Sequence, residues 1–161
     1  TKQEIPNIRF IFAGLESHPG ERYLDKLMKK CDNLNIRSNI TYLGAFNYRN
    51  LPAILKSFDI GIFTPPNKPL LQYASPIKLF EYMAASLPII VTECGSPAEI
   101  VRNNGVGVVS NYDAQDIANN IIHLKNDIPF RNKLKENCNS VSYKYDWNRL
   151  FDKAFEWMIK I

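Results

Sequence analysis

The sequence predicts an α/β protein, a Rossmann-like three-layer α/β/α sandwich built on a parallel sheet. Five short apolar segments begin near residues 8, 40, 59, 89 and 106, and they alternate with segments of helical spacing. The run PIIVT at residues 88–92 is apolar and β-branched, which is typical of a strand buried on both faces of a parallel sheet. Hydrophobic residues make up 45% of the 161 residues, so we expect one domain over residues 1–161 with a sizeable core.

Two strand and helix units are predicted in the first third of the chain. The strand Ile8–Ala13 is buried and ends at Gly14, and the helix that follows runs from Glu21 to about Leu34. The loop between them contains His18, which we interpret as a solvent-exposed loop histidine. A second strand, Ile40–Leu43, precedes a helix that opens at Tyr48 or Asn50.

The third strand, Asp59–Phe63, leads into a long loop rich in proline. Such a loop at the carboxyl end of a strand, just ahead of a helix, is where an open α/β sheet binds ligands. Asn67 and Lys68 in this loop have two interpretations, a mobile lid or a plain surface loop, and the second is slightly favoured.

The next helix is predicted to begin with Ser75 as N-cap and Pro76 at the first helical position. Its predicted packing face consists of residues at helical spacing: Ile77, Phe80, Met83, Ala84 and Leu87. Lys78, Glu81, Tyr82 and Ala85 are assigned to the other side. Pro88 ends the helix, and the strand Ile89–Thr92 follows.

The remainder of the chain predicts one more strand and several helices. Ser96, Pro97 and Glu99 indicate a short capped helix that stops at Gly105, and Val106–Val109 is the last strand. From Asp113 onward the chain is helical, with Asp113 and Asp127 as start positions and His123 as a structural residue. Helical spacing also predicts a packing stripe in the last helix: Trp147, Phe151, Phe155 and Met158.

The helix that begins near Ser75 carries residues suited to a nucleotide diphosphate. A free helix N-terminus attracts phosphate through its amides and its dipole. Lys78 lies in the first turn, and Glu81 could accept two hydrogen bonds from vicinal hydroxyls such as those of a ribose. The alternative, and without context the more common one, is a capped surface helix with an exposed glutamate and lysine.

The segment SPIKLFEYMAASLPIIVTECGSPAEIV resembles the donor-binding segment of retaining GT-B glycosyltransferases, the glycosyl transferases of group 1. Their motif has two glutamates separated by seven residues; Glu81 falls on the second, which binds ribose, and Tyr73 replaces the first, which contacts the donor sugar. The resemblance also implies that backbone amides of Ala74 to Ile77 face the diphosphate, although Pro76 cannot donate. It adds Gly14 and Phe46 as donor-binding candidates and Gly95, Glu99 and Leu79 as second-tier candidates.

The resemblance covers roughly residues 5 to 145 and implies a C-terminal nucleotide-sugar-binding domain. The expected reaction transfers a hexosyl unit from a UDP-, GDP- or ADP-sugar to an acceptor hydroxyl in polysaccharide, lipopolysaccharide or glycolipid synthesis. No cofactor and no metal are expected, and no catalytic residue is assigned. The acceptor-binding N-terminal domain is expected to be a separate, upstream partner, against which residues 145–161 would pack. We expect this domain alone to bind nucleotide weakly and to transfer nothing.

Two other function classes remain open. A non-catalytic partner-binding module of the same fold is favoured by Tyr73 in place of the first glutamate, whereas Ser75, Lys78 and Glu81 favour the enzyme. The third class is an epimerase of the same fold, which acts on a nucleotide sugar without an acceptor.

Composition excludes several other classes of protein. The net charge of +4 is modest and its basic residues are dispersed, and no zinc knuckle or basic–aromatic motif indicates nucleic-acid binding. The three cysteines show no metal-ligand spacing and are interpreted as reduced thiols. We find no apolar run long enough to span a bilayer and expect a cytoplasmic protein, with attraction to an anionic membrane surface or a lipid-linked acceptor as the open variant.

Overall fold

The computed structural model describes residues 4–14 and 22–159. The chain divides into two compact units, Thr1–Leu51 and Pro52–Ile161. Each unit has its own parallel sheet and its own helices, so the predicted α/β class with parallel strands is confirmed. The described strands form two sheets, one in each unit.

The first unit contains the strand β1 (Phe10–Ala13), the helix α1 (Tyr23–Asn33) and the strand β2 (Ile40–Gly44). The two strands are parallel, with Phe10 opposite Ile40 and a register shift between Phe12 and Ala13. Side chains of β1 are more exposed than the sequence predicts: Ile11 is 38% and Phe12 is 41% accessible. Among the described residues, β1 pairs only with β2, and a two-stranded ladder cannot bury both faces of a strand.

A single buried side chain ties the beginning of β1 to the beginning of β2. Asn39 ends a 3-10 turn, Arg37–Asn39, and its Nδ2 donates to the carbonyl oxygens of Ile8 at 2.7 Å and Pro6 at 3.3 Å. The side chain therefore replaces ladder hydrogen bonds just before the two strands pair.

The second unit contains the strands β3 (Gly61–Phe63), β4 (Ile89–Thr92) and β5 (Gly107–Ser110), which are parallel in the order β3-β4-β5. The middle strand β4 is buried along its whole length, as its apolar sequence predicts. Its register places Ile89 between Gly61 and Gly107.

Seven further α-helices follow among the described residues. The helix α2 (Leu51–Lys56) spans the unit boundary, and α3 (Pro69–Gln72) and α4 (Ile77–Ala84) connect β3 to β4. The helix α5 (Gly95–Asn104) connects β4 to β5. After β5 come α6 (Ala114–Asn126), α7 (Ile128–Ser142) and α8 (Trp147–Met158).

The core of the second unit forms where α4 packs against the sheet and against α7. Leu79, Met83, Val91 and Cys138 belong to one buried cluster, together with residues of α5. The thiol of Cys138 donates to the Leu87 carbonyl at 3.2 Å, and burial raises the pKa of this thiol to about 12. All three cysteines are free thiols, as the sequence predicts, and all three are buried.

The packing face of α4 differs from the predicted one. Leu79 and Met83 are fully buried, whereas Ile77 is 60% accessible and Ala84 is exposed. Phe80 and Tyr82 are both partly buried against the core, although helical spacing assigns Tyr82 to the outer side. Since α4 contacts the sheet and α7 together, it is covered over a wider arc than a single amphipathic stripe predicts.

Helix starts are predicted well where an aspartate caps them. Asp113 Oδ2 accepts from the Asp116 amide at 2.9 Å, and Asp127 Oδ1 accepts from the Phe130 amide at 2.9 Å, which confirms both predicted N-caps. The predicted cap at Ser75 is wrong: α4 has Pro76 at its N-cap and no side-chain cap. The short helix α3, within the proline-rich connection, has no counterpart among the predicted elements.

The last helix, α8, has no buried residue. Its predicted stripe is at least half accessible: Trp147 78%, Phe151 66%, Phe155 51% and Met158 54%. Over the described residues, no helix combines the length and apolar character that crossing a membrane requires.

The burial of α4 predicts unequal costs for two truncations on the same helix. Leu79→Ala should lower the free energy of unfolding by about 2–5 kcal/mol, because it removes a fully buried side chain and leaves a cavity. Ile77→Ala, its exposed control, should change stability by only about 0.5 kcal/mol. Urea unfolding followed by circular dichroism measures both, and equal costs would contradict the observed packing.

Candidate functional site

The carboxyl ends of three parallel strands meet at one edge of the second unit. Strand β3 ends at Phe63, β4 at Thr92 and β5 at Ser110, and the register places Thr92 opposite Ser110. The connection that carries α3 and α4 leaves the sheet at this edge, and α5 begins here. Open α/β sheets bind ligands at this end of their strands.

The proline-rich connection after β3 is attached to the end of β4. The Thr92 hydroxyl donates to the Pro65 carbonyl at 2.6 Å, and both residues are buried. The Cys94 thiol donates to the Pro66 carbonyl at 3.5 Å. Further along, Gln72 Nε2 donates to Asn67 Oδ1 at 2.9 Å. These contacts favour an ordered surface connection at Asn67 and Lys68, the interpretation preferred from the sequence.

Gly95, a second-tier candidate, has a clear packing role. Its φ is +44°, and a Cβ at this position would overlap the backbone oxygen of Gln72. The first residue of α5 can therefore approach the last residue of α3 only because it lacks a side chain.

The start of α4 lies at this edge, and its first amides precede the hydrogen bonds of the helix. The Leu79 amide donates to the Pro76 carbonyl at 3.1 Å, so the amides of Ile77 and Lys78 precede the first hydrogen bond of the helix. Ser75 and Ile77 are exposed beside them. The Ala74 amide, in contrast, already donates to the Leu71 carbonyl at 3.2 Å.

Lys78 brings a positive charge to the end of β3. Its side chain is exposed, and its ammonium lies 5.9 Å from the ring centroid of Phe63, the last residue of that strand. The aromatic face attracts the cation and limits the positions of a long, flexible side chain.

Glu81 lies one turn further along α4 and is half-buried. Its neighbour Tyr82 packs its ring against Gly61, where an added Cβ would come within 2.5 Å of the ring, and the Tyr82 hydroxyl donates to the Ile62 carbonyl at 3.4 Å. Burial and, to a lesser extent, the negative charge of Glu81 raise the pKa of Tyr82. Tyr82 thus holds the glutamate-bearing turn against β3, a role that helical periodicity alone does not indicate.

Three other candidates in this unit have distinct environments. Tyr73, in the position of the motif's first glutamate, is the C-cap of α3 and is 87% accessible. Leu79 is fully buried, so its side chain belongs to the core. Glu99 is exposed within α5, whose N-cap is Cys94. No side chain caps this helix, so the cap that the sequence indicates at Ser96–Glu99 is wrong.

Gly14 and Phe46 belong to the first unit. Gly14 follows β1 with a φ of +118°, its amide donates to the Gly44 carbonyl at 2.9 Å, and its carbonyl accepts from the Tyr42 hydroxyl at 2.7 Å. Phe46 is half-buried after β2. His18 and the neighbouring Gly20 lie outside the described residues.

The end of β5 is occupied by a carboxylate that no sequence pattern singles out. Asp116 Oδ2 accepts from the Asn111 amide at 2.7 Å and from the Ser110 hydroxyl at 3.1 Å. Both bonds lower the pKa of Asp116, and the bond from the Asn111 amide contributes most. Over residues 4–14 and 22–159, no three His, Cys, Asp or Glu side chains are grouped so that they could hold a metal ion.

Comparison with known proteins gives one consistent result. The sequence profile described as "Glycosyl transferases group 1" matches residues 1–141. An uncharacterized glycosyltransferase of Methanocaldococcus jannaschii is 28% identical over 150 residues, which cover 91% of this chain and 36% of that protein. The chain therefore spans little more than a third of the length of that relative.

Solved structures share the fold at low sequence identity. HepE of Anabaena in complex with UDP-glucose superposes with a TM-score of 0.81 at 16% identity, over 97% of this chain and 42% of that one. WaaG, a glycosyltransferase involved in lipopolysaccharide biosynthesis, superposes with a TM-score of 0.74 at 18% identity, over 92% of this chain and 37% of that one. Both are GT-B enzymes, and the likeness confirms the Rossmann-like fold predicted from the sequence.

Proposed function

Since the chain belongs to the glycosyl transferases of group 1, we propose that it is the C-terminal domain that binds the nucleotide-sugar donor of a GT-B hexosyltransferase. The observation that carries this proposal is the placement of Lys78 and Glu81. Both lie on a helix that begins at the carboxyl edge of a parallel sheet. Lys78 lies over Phe63 at the end of β3, and Tyr82, the neighbour of Glu81, bonds to Ile62 of the same strand. This edge is where open α/β sheets place their ligands.

The two side chains suit two different parts of a nucleotide diphosphate. The ammonium of Lys78 and the amides of the first turn of α4 supply positive charge and donors for phosphate oxygens. Glu81 supplies two acceptor oxygens for the vicinal hydroxyls of a ribose. A ligand that placed its ribose at Glu81 and its diphosphate at the helix start would satisfy both groups.

The proposed donor is a nucleoside diphosphate sugar, with UDP-, GDP- and ADP-sugars as the candidates. The UDP-glucose complex of the structurally similar Anabaena protein supports a test of the uridine nucleotide first. Tyr73 stands where related enzymes use a glutamate on the sugar, so the contact to the sugar would differ from theirs.

The proposed reaction is transfer of the hexosyl unit to an acceptor hydroxyl, in polysaccharide, lipopolysaccharide or glycolipid synthesis. The bond from the sugar carbon to the β-phosphate oxygen breaks, a bond from that carbon to the acceptor oxygen forms, and the acceptor's proton passes to the departing diphosphate or to water. The negative charge that develops on the diphosphate would be stabilised by Lys78 and the first amides of α4. No metal is required by this scheme, and its catalytic groups are not assigned. We place the enzyme in the cytoplasm, or at the membrane surface if its acceptor is lipid-linked.

We also propose that α8 packs against the upstream, acceptor-binding part of the protein. Its exposed apolar residues include two tryptophans, Trp147 and Trp157, which are 78% and 68% accessible. An apolar surface of this kind on a helix marks an interface. On this proposal the isolated domain binds nucleotide weakly and transfers no sugar.

The rival proposal is a non-catalytic partner-binding module, favoured by Tyr73 at 87% accessibility in place of a carboxylate. Such a module would keep the fold without binding nucleotide. An epimerase of the same fold would bind the same donor but would convert it in the absence of any acceptor.

Substitution of Glu81 tests the ribose contact. The domain is titrated with UDP, GDP and ADP, followed by thermal shift and NMR, and one nucleotide should bind saturably. Glu81→Ala should weaken that binding about ten- to a hundredfold, because hydrogen bonds to a charged group are lost.

The matched control for this titration is Glu136→Ala, on an exposed position of α7, which should bind as the unmodified domain does. Equal affinity of the Glu81 variant would contradict the ribose contact. A folded domain that binds none of the three nucleotides would favour the non-catalytic module.

Substitution of Lys78 tests the diphosphate contact. Lys78→Ala should weaken UDP binding about three- to tenfold and should make the affinity less dependent on salt, because one cation that faces phosphate is removed. Binding of the nucleoside uridine should not change. Lys78→Arg keeps the charge and should retain most of the affinity, and an alanine variant with undiminished UDP affinity would exclude the contact.

Amide hydrogen exchange tests the role of α8. Residues 147–158 should exchange rapidly in the isolated domain and at least about tenfold more slowly in the full-length protein, because packing suppresses local opening. The solvent-exposed helix face of α7 provides a reference that should not change. Equal exchange of α8 in the two proteins would show that the helix does not dock.

A further inference from the structure

We propose that Thr92 is a positioning residue of the donor site: its buried hydroxyl fixes the connection between β3 and α4, so that the site is preformed rather than closed by a lid. This inference rests on the proposed function, since it concerns the segment to which the nucleotide would bind. Thr92 does not contact the proposed ligand, and it would act through the backbone of residues 64–77.

Thr92 is the one polar residue of the fully buried strand β4. A buried hydroxyl is costly unless it is hydrogen-bonded, and this one donates to the Pro65 carbonyl at 2.6 Å. Pro65 is itself buried, so its carbonyl oxygen requires a donor as well. Each group therefore satisfies the other, and the β-branched side chain of Thr92 has few alternative rotamers.

Two contacts extend this attachment along the connection. The Cys94 thiol donates to the Pro66 carbonyl, and the same carbonyl accepts from the Lys68 amide at 2.8 Å. At the far end, the missing side chain of Gly95 allows α5 to touch the backbone of Gln72. Thr92 at the end of β4 and Gly95 at the start of α5 thus hold the connection at two points, Pro65 and Gln72.

Only five residues separate Gln72 from Lys78, and Tyr73, Ser75 and Ile77 lie among them. A connection held at both Pro65 and Gln72 therefore restricts where Tyr73 and the first turn of α4 can lie. A binding segment that is ordered before the ligand arrives loses less conformational entropy on binding. The hydroxyl of Thr92 would in this way contribute to nucleotide affinity from beneath the site.

Two nearly isosteric substitutions separate the hydroxyl from the shape of the side chain. Thr92→Val removes the hydroxyl and keeps the β-branch, whereas Thr92→Ser keeps the hydroxyl. Ser110→Ala is the matched control, because Ser110 is the buried hydroxyl residue opposite Thr92 at the end of β5 and donates to Asp116 instead. For each variant of the 161-residue chain, amide exchange is measured without ligand and UDP, GDP and ADP affinities are measured by titration.

In Thr92→Val we expect the amides of Lys68, Leu71 and Ala74 to exchange about tenfold faster, as one hydrogen bond to a buried carbonyl is lost. The amides of β4 should keep their exchange rates, and nucleotide affinity should fall about three- to tenfold. Thr92→Ser should restore the exchange rates and the affinity, and Ser110→Ala should leave these values unchanged.

Unchanged exchange in residues 68–74 of Thr92→Val would overturn the inference. Uniformly faster exchange over the whole second unit would overturn it as well, because it would show that the hydroxyl has a purely structural role. Faster exchange in the connection with unchanged nucleotide affinity would also overturn it, while the donor site itself would stand. If the unmodified chain binds none of the three nucleotides, the proposed function fails first and the positioning role fails with it, whatever the exchange rates show.

Discussion

Burial of β4 on both faces is the constraint on which the rest of the second unit depends. The strand has a neighbour on each side and is buried along its whole length, so no residue in it can face water. Leu79 and Met83 of α4 and Cys138 of α7 pack into the same cluster as its side chains. The position of α4 is therefore decided by the strand that follows it in sequence.

The candidate site owes its geometry to this packing. Because Leu79 and Met83 are fixed in the core, Lys78 and Glu81 lie at defined positions on the same helix. Tyr82 holds the same helix to β3 through the Ile62 carbonyl, and Lys78 lies over the ring of Phe63. The packing of α4 therefore determines where the basic Lys78 and the acidic Glu81 lie at the sheet edge.

The two-stranded sheet of the first unit leaves apolar side chains of β1 accessible to solvent. Ile11 and Phe12 remain accessible although their sequence is as apolar as that of β4. Strand sequences of this kind occur where both faces are covered. Among the described residues, apolar side chains of β1 and of α8 are accessible to solvent.

The family relationship and the site chemistry support each other but answer different questions. The profile match over residues 1–141 identifies the family, and the structural likeness identifies the fold. The fold offers a sheet edge of the kind that binds ligands, and the start of α4 carries the residues of the proposed ribose and diphosphate contacts.

The sequence by itself determined the α/β class, the parallel strands, the buried strand Ile89–Thr92 and the two aspartate caps, because apolar runs and capping residues act locally. It also indicated Lys78 and Glu81 as a pair on one helix, since spacing along a helix is fixed by its geometry. Only the tertiary structure decided that Leu79 rather than Ile77 is buried, that Gly95 must lack a side chain against Gln72, and that Thr92 bonds to Pro65. These features depend on which distant segments meet, and contacts between residues 27 positions apart leave no periodic signal in the sequence.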